Sequence, residues 1–118
     1  MSIFVLEPDL IFSSKFERLS HLIEKDFKIF TDLAMLLENV RSERPVAFII
    51  NLDATKSDAV QEIVDWGVPV MGYYSHVNSE VARAAVQSGV SPVVTRGVFV
   101  AKAESLVREL LNSRRPSS

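Results

Sequence analysis

No cysteine occurs among the 118 residues, so disulfides, thiol nucleophiles and thiolate metal sites are excluded. Histidine is scarce, and His21 and His76 lie far apart with no ligand spacing around either. Glycine is scarce as well. The chain after the first apolar run reads Glu-Pro-Asp-Leu-Ile-Phe-Ser-Ser, so no glycine-rich loop is there to wrap backbone amides around a pyrophosphate. The Ser/Thr-rich loop that would hold a flavin phosphate at that place is also missing. Neither sign of charge dominates: 13 Lys and Arg against 15 Asp and Glu give a formal net charge of -2. Whole-protein attraction to nucleic acid is therefore not expected. The longest apolar runs span only five or six residues, too short to cross a bilayer. The first ten residues carry no basic region, so no secretory leader and a cytoplasmic location are expected.

What is present is a set of short apolar runs: Ile3–Leu6, Phe27–Phe30, Val46–Ile50, Val68–Tyr73 and Pro92–Thr95. The first, third and fourth are nearly continuous, as in strands covered on both faces of a parallel sheet. Phe-Lys-Ile-Phe alternates and suits an edge strand. Helical stripes fill the gaps. Phe12, Phe16, Leu19 and Ile23 recur on one face, with Asp9 as N-cap. Thr31 is the expected cap of the next helix, with Leu33, Leu36, Leu37 and Val40 inward. Ser57 or Asp58 opens a third, with Val60, Ile63 and Val64 inward. Asn78 or Ser79 opens a fourth, Val81 to Gln87, stopped by Gly89. Ala101, Leu106, Val107, Leu110 and Leu111 mark the fifth. Strand and helix thus alternate five times. Crossovers of this length force parallel, right-handed connections and a doubly wound α/β sandwich. Residues 1–112 form one domain on this reading, and 113–118 a polar flexible tail or the start of a linker, with Arg114 and Arg115 serving solubility.

In such a fold, ligands bind at the carboxyl ends of the strands. The loops there offer Glu7, Asp9, Asn51, Asp53, Tyr74, Ser75, His76 and Arg96. Glu7-Pro8, Pro45-Val-Ala-Phe-Ile-Ile-Asn51, Ser57-Asp58-Ala59-Val60, Pro69-Val70-Met71, Ser88-Gly89-Val90 and Val94-Thr95-Arg96 follow in the order and spacing of a landmark set. In these residues the whole chain resembles the receiver domain of bacterial response regulators. The resemblance implies a flavodoxin-like (βα)5 sheet of strand order 2-1-3-4-5, with helices one and five on one face. It matches the family's acidic pair to Glu7 and Pro8 and its phosphoacceptor aspartate to Asn51. The hydroxyl residue ending the fourth strand falls on Tyr74, the lysine of the fifth on Arg96, the proline after it on Gly97, and the switch aromatic on Val93.

All of these positions depart from the active pattern. Asn51 is neutral and cannot form an acyl phosphate. Pro8 brings no carboxylate to a Mg²⁺ site. Tyr74 is bulky, and a guanidinium is not equivalent to a lysine point charge. The expected function is therefore a pseudo-receiver, a phosphorylation-independent signalling and interaction module with no catalytic residues, no metal and no cofactor. One alternative is a working receiver that uses Asp53, two residues beyond Asn51. Another is a sensor that holds a small anion with Tyr74 and Arg96. The plainer expectations are that Arg96 neutralises Glu7 or Asp53, that Tyr74 packs over the pocket with Ser75 beside it, that His76 is solvated and that Trp66 packs after the third helix. By analogy with receivers, the partner is a signalling protein or a second copy, not nucleic acid or membrane. It would be met through the face of the fourth helix, fifth strand and fifth helix. That face would draw on Val81, Arg83, Ala84, Gln87, Val93, Lys102, Glu104, Ser105 and Arg108.

Overall fold

The computed structural model of the chain describes residues 1–75, 77 and 79–113. The expected helix-opening Asn78, the loop residue His76 and the pair Arg114 and Arg115 lie outside the described residues. Among the described residues five strands form one sheet: β1 (Ser2–Leu6), β2 (Asp26–Phe30), β3 (Ala47–Asn51), β4 (Val70–Tyr74) and β5 (Val93–Thr95). Their order is β2-β1-β3-β4-β5, and every neighbouring pair is parallel. The alternating run does form an edge strand, and its inner partner β1 is buried throughout.

The helices are α1 (Leu10–Ser13), α2 (Lys15–Ile23), α3 (Leu33–Ser42), α4 (Ser57–Val64), α5 (Ser79–Ser88) and α6 (Arg96–Asn112). The first helical stripe is thus delivered by two pieces joined at Ser14. Asp9 caps α1 as expected, accepting from the Ile11 and Phe12 amides. The cap of α3 is Asp32, whose carboxylate accepts from Met35 N, and not Thr31; Asp32 lies one residue closer to the first turn. Ser57 is the first residue of α4, and no side chain caps it. The last helix begins earlier than its apolar stripe suggests, because Thr95 ends β5 and caps α6 through Val98 N. Its inward residues are Phe99, Val107 and Leu110, while Ala101 is exposed.

Alternation along the strands divides the interior in two. Ile3, Val5, Ile49, Met71 and Tyr73 face α1, α2 and α6, where Phe12, Phe16, Leu19 and Phe99 meet them. Phe4, Leu6, Phe48, Ile50 and Val70 face α3, α4 and α5. Trp66, just past α4, packs partly buried against this second core, and its carbonyl accepts from Arg44 at 2.8 Å. Each fully buried large side chain contributes about 1.5–3 kcal/mol by removal from water.

One glycine fixes how closely β3 and β4 deliver their ends. A Cβ on Gly72 would lie 2.7 Å from Cδ1 and 2.8 Å from Cγ of Leu52, which follows β3 directly and is itself fully buried. A methyl there would push the branched end of Leu52 out of its packed position. Gly72→Ala should therefore destabilise the fold by about 1–3 kcal/mol, and it should cost less in a Leu52→Ala background. Urea unfolding of both single variants and the double checks this; strictly additive losses would show that the two residues do not compete for space.

Candidate functional site

Glu7 follows the last residue of β1 and has no exposed surface. Asn51 ends β3, and in register beside it on β4 is Tyr73. Parallel pairing therefore brings three polar side chains to the carboxyl end of the sheet, on the face of α1, α2 and α6. The Asn51 amide donates from Nδ2 to both Glu7 oxygens, at 3.1 Å each. The Tyr73 hydroxyl donates to Glu7 Oε1 at 2.5 Å. Asp9 N donates to Oε2 at 2.9 Å, tying the carboxylate to the start of α1. Asn51 is used at both ends of its amide, since Oδ1 accepts from Asp53 N at 3.0 Å. An aspartate has no N–H and could not play both parts.

An aromatic enclosure surrounds the cluster. The Tyr73 ring stacks on Phe99 with centroids 4.9 Å apart and lies 5.2 Å from Phe12. Burial first, and then the hydrogen bond to Glu7, push the Tyr73 hydroxyl well above the ordinary phenol range. It stays a donor at any ordinary pH. The Arg96 guanidinium lies over the Phe12 ring at 4.5 Å and 5.9 Å from the Tyr73 centroid, a cation–π arrangement.

The expectation that Arg96 neutralises Glu7 is corrected here: uncharged donors satisfy the carboxylate, and among the described residues no ion pair joins it to Arg96. Asp53 does not continue the strand past Asn51. It sits exposed in a short 3-10 turn, Leu52–Ala54, where its carboxylate accepts from Ser75 N at 2.8 Å. Asp53, Ser75, Thr95, Arg96 and Gly97 line an open cavity of about 600 Å³. Pro8 is exposed beside Glu7. Tyr74 projects to the opposite side of the sheet, half-buried against the α3–α5 core, so it does not converge with Arg96 on one ligand.

The expected interaction face is likewise divided. Val81 and Ala84 turn toward α4, lining a groove with Leu52 and Val60. Glu104 and Arg108 pair with each other at 3.0 Å on the α2 side of α6, where Arg108 also donates to the Leu22 carbonyl. Arg83, Gln87, Lys102 and Ser105 are exposed, and Val93 is half-buried on β5. Sequence reasoning missed Tyr73 and Phe99. The signal for Tyr73 was its register beside Asn51: a phenol inside an apolar strand needs a buried acceptor, and Glu7 is that acceptor.

Receiver domains hold Mg²⁺ at this end of the sheet. The donors here do not fit that ion. Both Glu7 oxygens already accept from N–H and O–H groups, Pro8 offers no oxygen from its side chain, and among the described residues no group of three acidic, histidine or cysteine side chains converges.

Solved structures resemble the fold over nearly the whole chain. A response regulator from Thermotoga maritima matches with a TM-score of 0.83 at 9% identity, over 95% of this chain and 98% of that one. A response regulator receiver protein from Burkholderia phymatum matches at 0.79 and 20% identity, over 98% of each chain. A CheY-like receiver domain protein from Methanospirillum hungatei JF-1 matches at 0.81 and 9% identity, over 94% and 93%. The chain thus has the response-regulator receiver fold. No family model matches its sequence, and no curated protein does.

Replacing Asn51 by Asp should set a second carboxylate against Glu7 and remove two donated hydrogen bonds. A loss of about 2–4 kcal/mol is expected in chelator, with partial recovery in millimolar Mg²⁺, which should leave the wild type unchanged. Thermal unfolding with and without the cation tests this, and an Asn51→Asp chain as stable as wild type in chelator would contradict it. Tyr73 gives a pH signature. Its proton is retained in the fold but lost near pH 10 from the unfolded chain. Its contribution is therefore complete below about pH 10 and falls above it, by about 1.4 kcal/mol per pH unit. Tyr73→Phe should be less stable than wild type at pH 8, and the difference should narrow by that slope above pH 10. A pH-independent difference in urea unfolding would exclude the link.

Proposed function

We propose that this chain is a signalling module of receiver fold that acts by protein contact, without aspartyl phosphorylation. The observation that carries the reading is the use of Asn51. At the position that matches the family's phosphoacceptor stands a neutral amide, buried, with both its donor and its acceptor consumed inside the fold. A nucleophile needs a lone pair directed at an incoming phosphorus, and a carboxamide held in this way presents none. Glu7, the acidic residue that would help hold a metal, is turned into the acceptor at the centre of the same cluster.

Receiver domains are in general signalling modules and not enzymes, and the site described above supports that role here. The surface left for a signalling partner is the exposed part of α5 and α6, with Arg83, Gln87, Lys102 and Ser105 beside the half-buried Val93 of the short strand β5. The mixture of long polar side chains and a small apolar centre is what transient signalling contacts use.

Asp53 is the competing phosphoacceptor, because its carboxylate is exposed and borders the same open cavity as Arg96. Intact-mass measurement after incubation with acetyl phosphate and Mg²⁺ decides between them. The protein should remain at its unmodified mass. A single added phosphoryl group that disappears in Asp53→Asn would overturn the reading.

A further inference from the structure

Helix α6 consists of two pieces that are held very differently. Its path is broken at Lys102, where φ is -127° and ψ is 25°, and such a break interrupts the ladder of backbone hydrogen bonds. Beyond the break, Val107 and Leu110 are fully buried. Ala103, Leu106 and Leu111 pack partly buried against the same core, and Arg108 donates to the Leu22 carbonyl. Before the break, Arg96–Ala101 buries one side chain only, Phe99. Gly97, Val98, Phe99 and Val100 are all weaker helix formers than alanine or leucine. The stretch is also far shorter than the roughly 12–15 residues that an isolated helix needs. Its conformation is therefore maintained by what Phe99 and Arg96 touch. Phe99 stacks on Tyr73 at 4.9 Å and lies 5.7 Å from Phe16, and Arg96 sits over Phe12 at 4.5 Å. On the outside, Gly97, Val98, Val100 and Ala101 are exposed.

We infer that Arg96–Ala101 is a lid over the Glu7, Asn51 and Tyr73 cluster, hinged at Lys102, which lifts as a unit while the rest of α6 stays in place. Regions held by few buried contacts open first, and those held by many open with the whole fold. The two inward residues of the lid sit on one turn, so a single movement takes Phe99 off the Tyr73 ring and Arg96 off Phe12. Tyr73 has no exposed surface in the closed form, and its hydroxyl serves Glu7 alone. Lifting the lid uncovers that ring and lets water share the hydrogen bonding of the buried carboxylate. It also widens the cavity that Arg96 and Gly97 border with Asp53 and Ser75. The cluster thus alternates between a sealed and a wetted state. The device rests on packing, and it does not depend on whether the chain is phosphorylated.

Residue-resolved hydrogen exchange by NMR on the full chain tests this, with 3-fluorotyrosine incorporated so that Tyr73 is watched by its fluorine resonance. The amides of Phe99, Val100 and Ala101 should exchange on the order of a hundredfold faster than those of Val107 and Leu110. The Tyr73 resonance, assigned with Tyr74→Phe, should be broadened by the same opening. Gly97→Ala removes backbone freedom from the lid without a clash, since an added Cβ would meet nothing within 4 Å. It should slow exchange at the three lid amides about two- to fivefold and sharpen the Tyr73 line, leaving Val107 and Leu110 unchanged. Phe99→Ala should speed lid exchange about tenfold or more; Gly97→Ala decides the matter alone if that variant fails to fold. Equal protection along the whole of α6 would overturn the inference, because the helix would then open as one body. Fast lid amides beside a Tyr73 resonance that neither broadens nor responds to Gly97→Ala would overturn it too, by reducing the motion to fraying of a helix end. Acetyl phosphate plays no part in these measurements, so their failure is distinguishable from failure of the phosphorylation-independent reading.

Discussion

The end of β1 places a carboxyl group where water does not reach it, and much of the molecule's carboxyl edge is organised around that fact. Burying such a group alone would cost more than a small domain can spare. Glu7 is held by donors from three directions: the amide of Asn51 on β3, the hydroxyl of Tyr73 on β4 and the backbone of Asp9 at the entrance to α1. The acceptor therefore ties β1 to β3, β4 and the first helix at once. Each donor is in turn fixed by something else. Asn51 is held by the Asp53 amide, Tyr73 is stacked on Phe99 with Phe12 tilted against it, and Asp9 is committed to its cap. Fully satisfied buried networks of this kind rigidify the part of the fold that contains them.

A divalent cation could also have drawn acidic side chains together at such a place, but it makes different demands. It needs several hard oxygen donors and keeps water in its shell. Neutral N–H and O–H donors need neither, and they allow the site to close under aromatic rings. This is also why Arg96 has no carboxylate to answer to at Glu7. Its guanidinium is weakly hydrated for a cation and settles on the face of Phe12. One side of it remains at the open cavity shared with Asp53 and Ser75.

The strands were largely legible in the sequence, because fully buried strands leave continuous apolar runs and the edge strand leaves an alternating one; their order followed from the resemblance to receiver domains. The boundaries were less so. Thr31 and Asp32 are both good capping residues, and only the first-turn geometry chooses between them. The start of α6 was hidden because its run Val98–Ala101 is apolar at four successive positions and shows no stripe; Phe99 was overlooked for that reason. Within the candidate site, Asn51 and Glu7 could be named from spacing, since each ends a strand. Their true companion could not be read in the same way. Tyr73 and Tyr74 are adjacent and identical in type, and a strand sends them to opposite cores. Choosing between them required the register of β4 against β3, which is a property of two strands together. The expected pairing of Arg96 with Glu7 failed because charge alone was weighed, and the uncharged donors around Glu7 were not.

The sheet also acts as a partition. The polar cluster and its aromatic rings belong to the side of α1, α2 and α6, whereas the chain's sole tryptophan, Trp66, rests on the side of α3, α4 and α5. An indole signal is therefore built into one half of the molecule only. Indole emission would follow repacking around α4 and the end of α3, and would stay nearly constant during events confined to the Glu7 cluster. Tyr73, stacked on Phe99 and in contact with Phe12, is the natural chromophore for that other half.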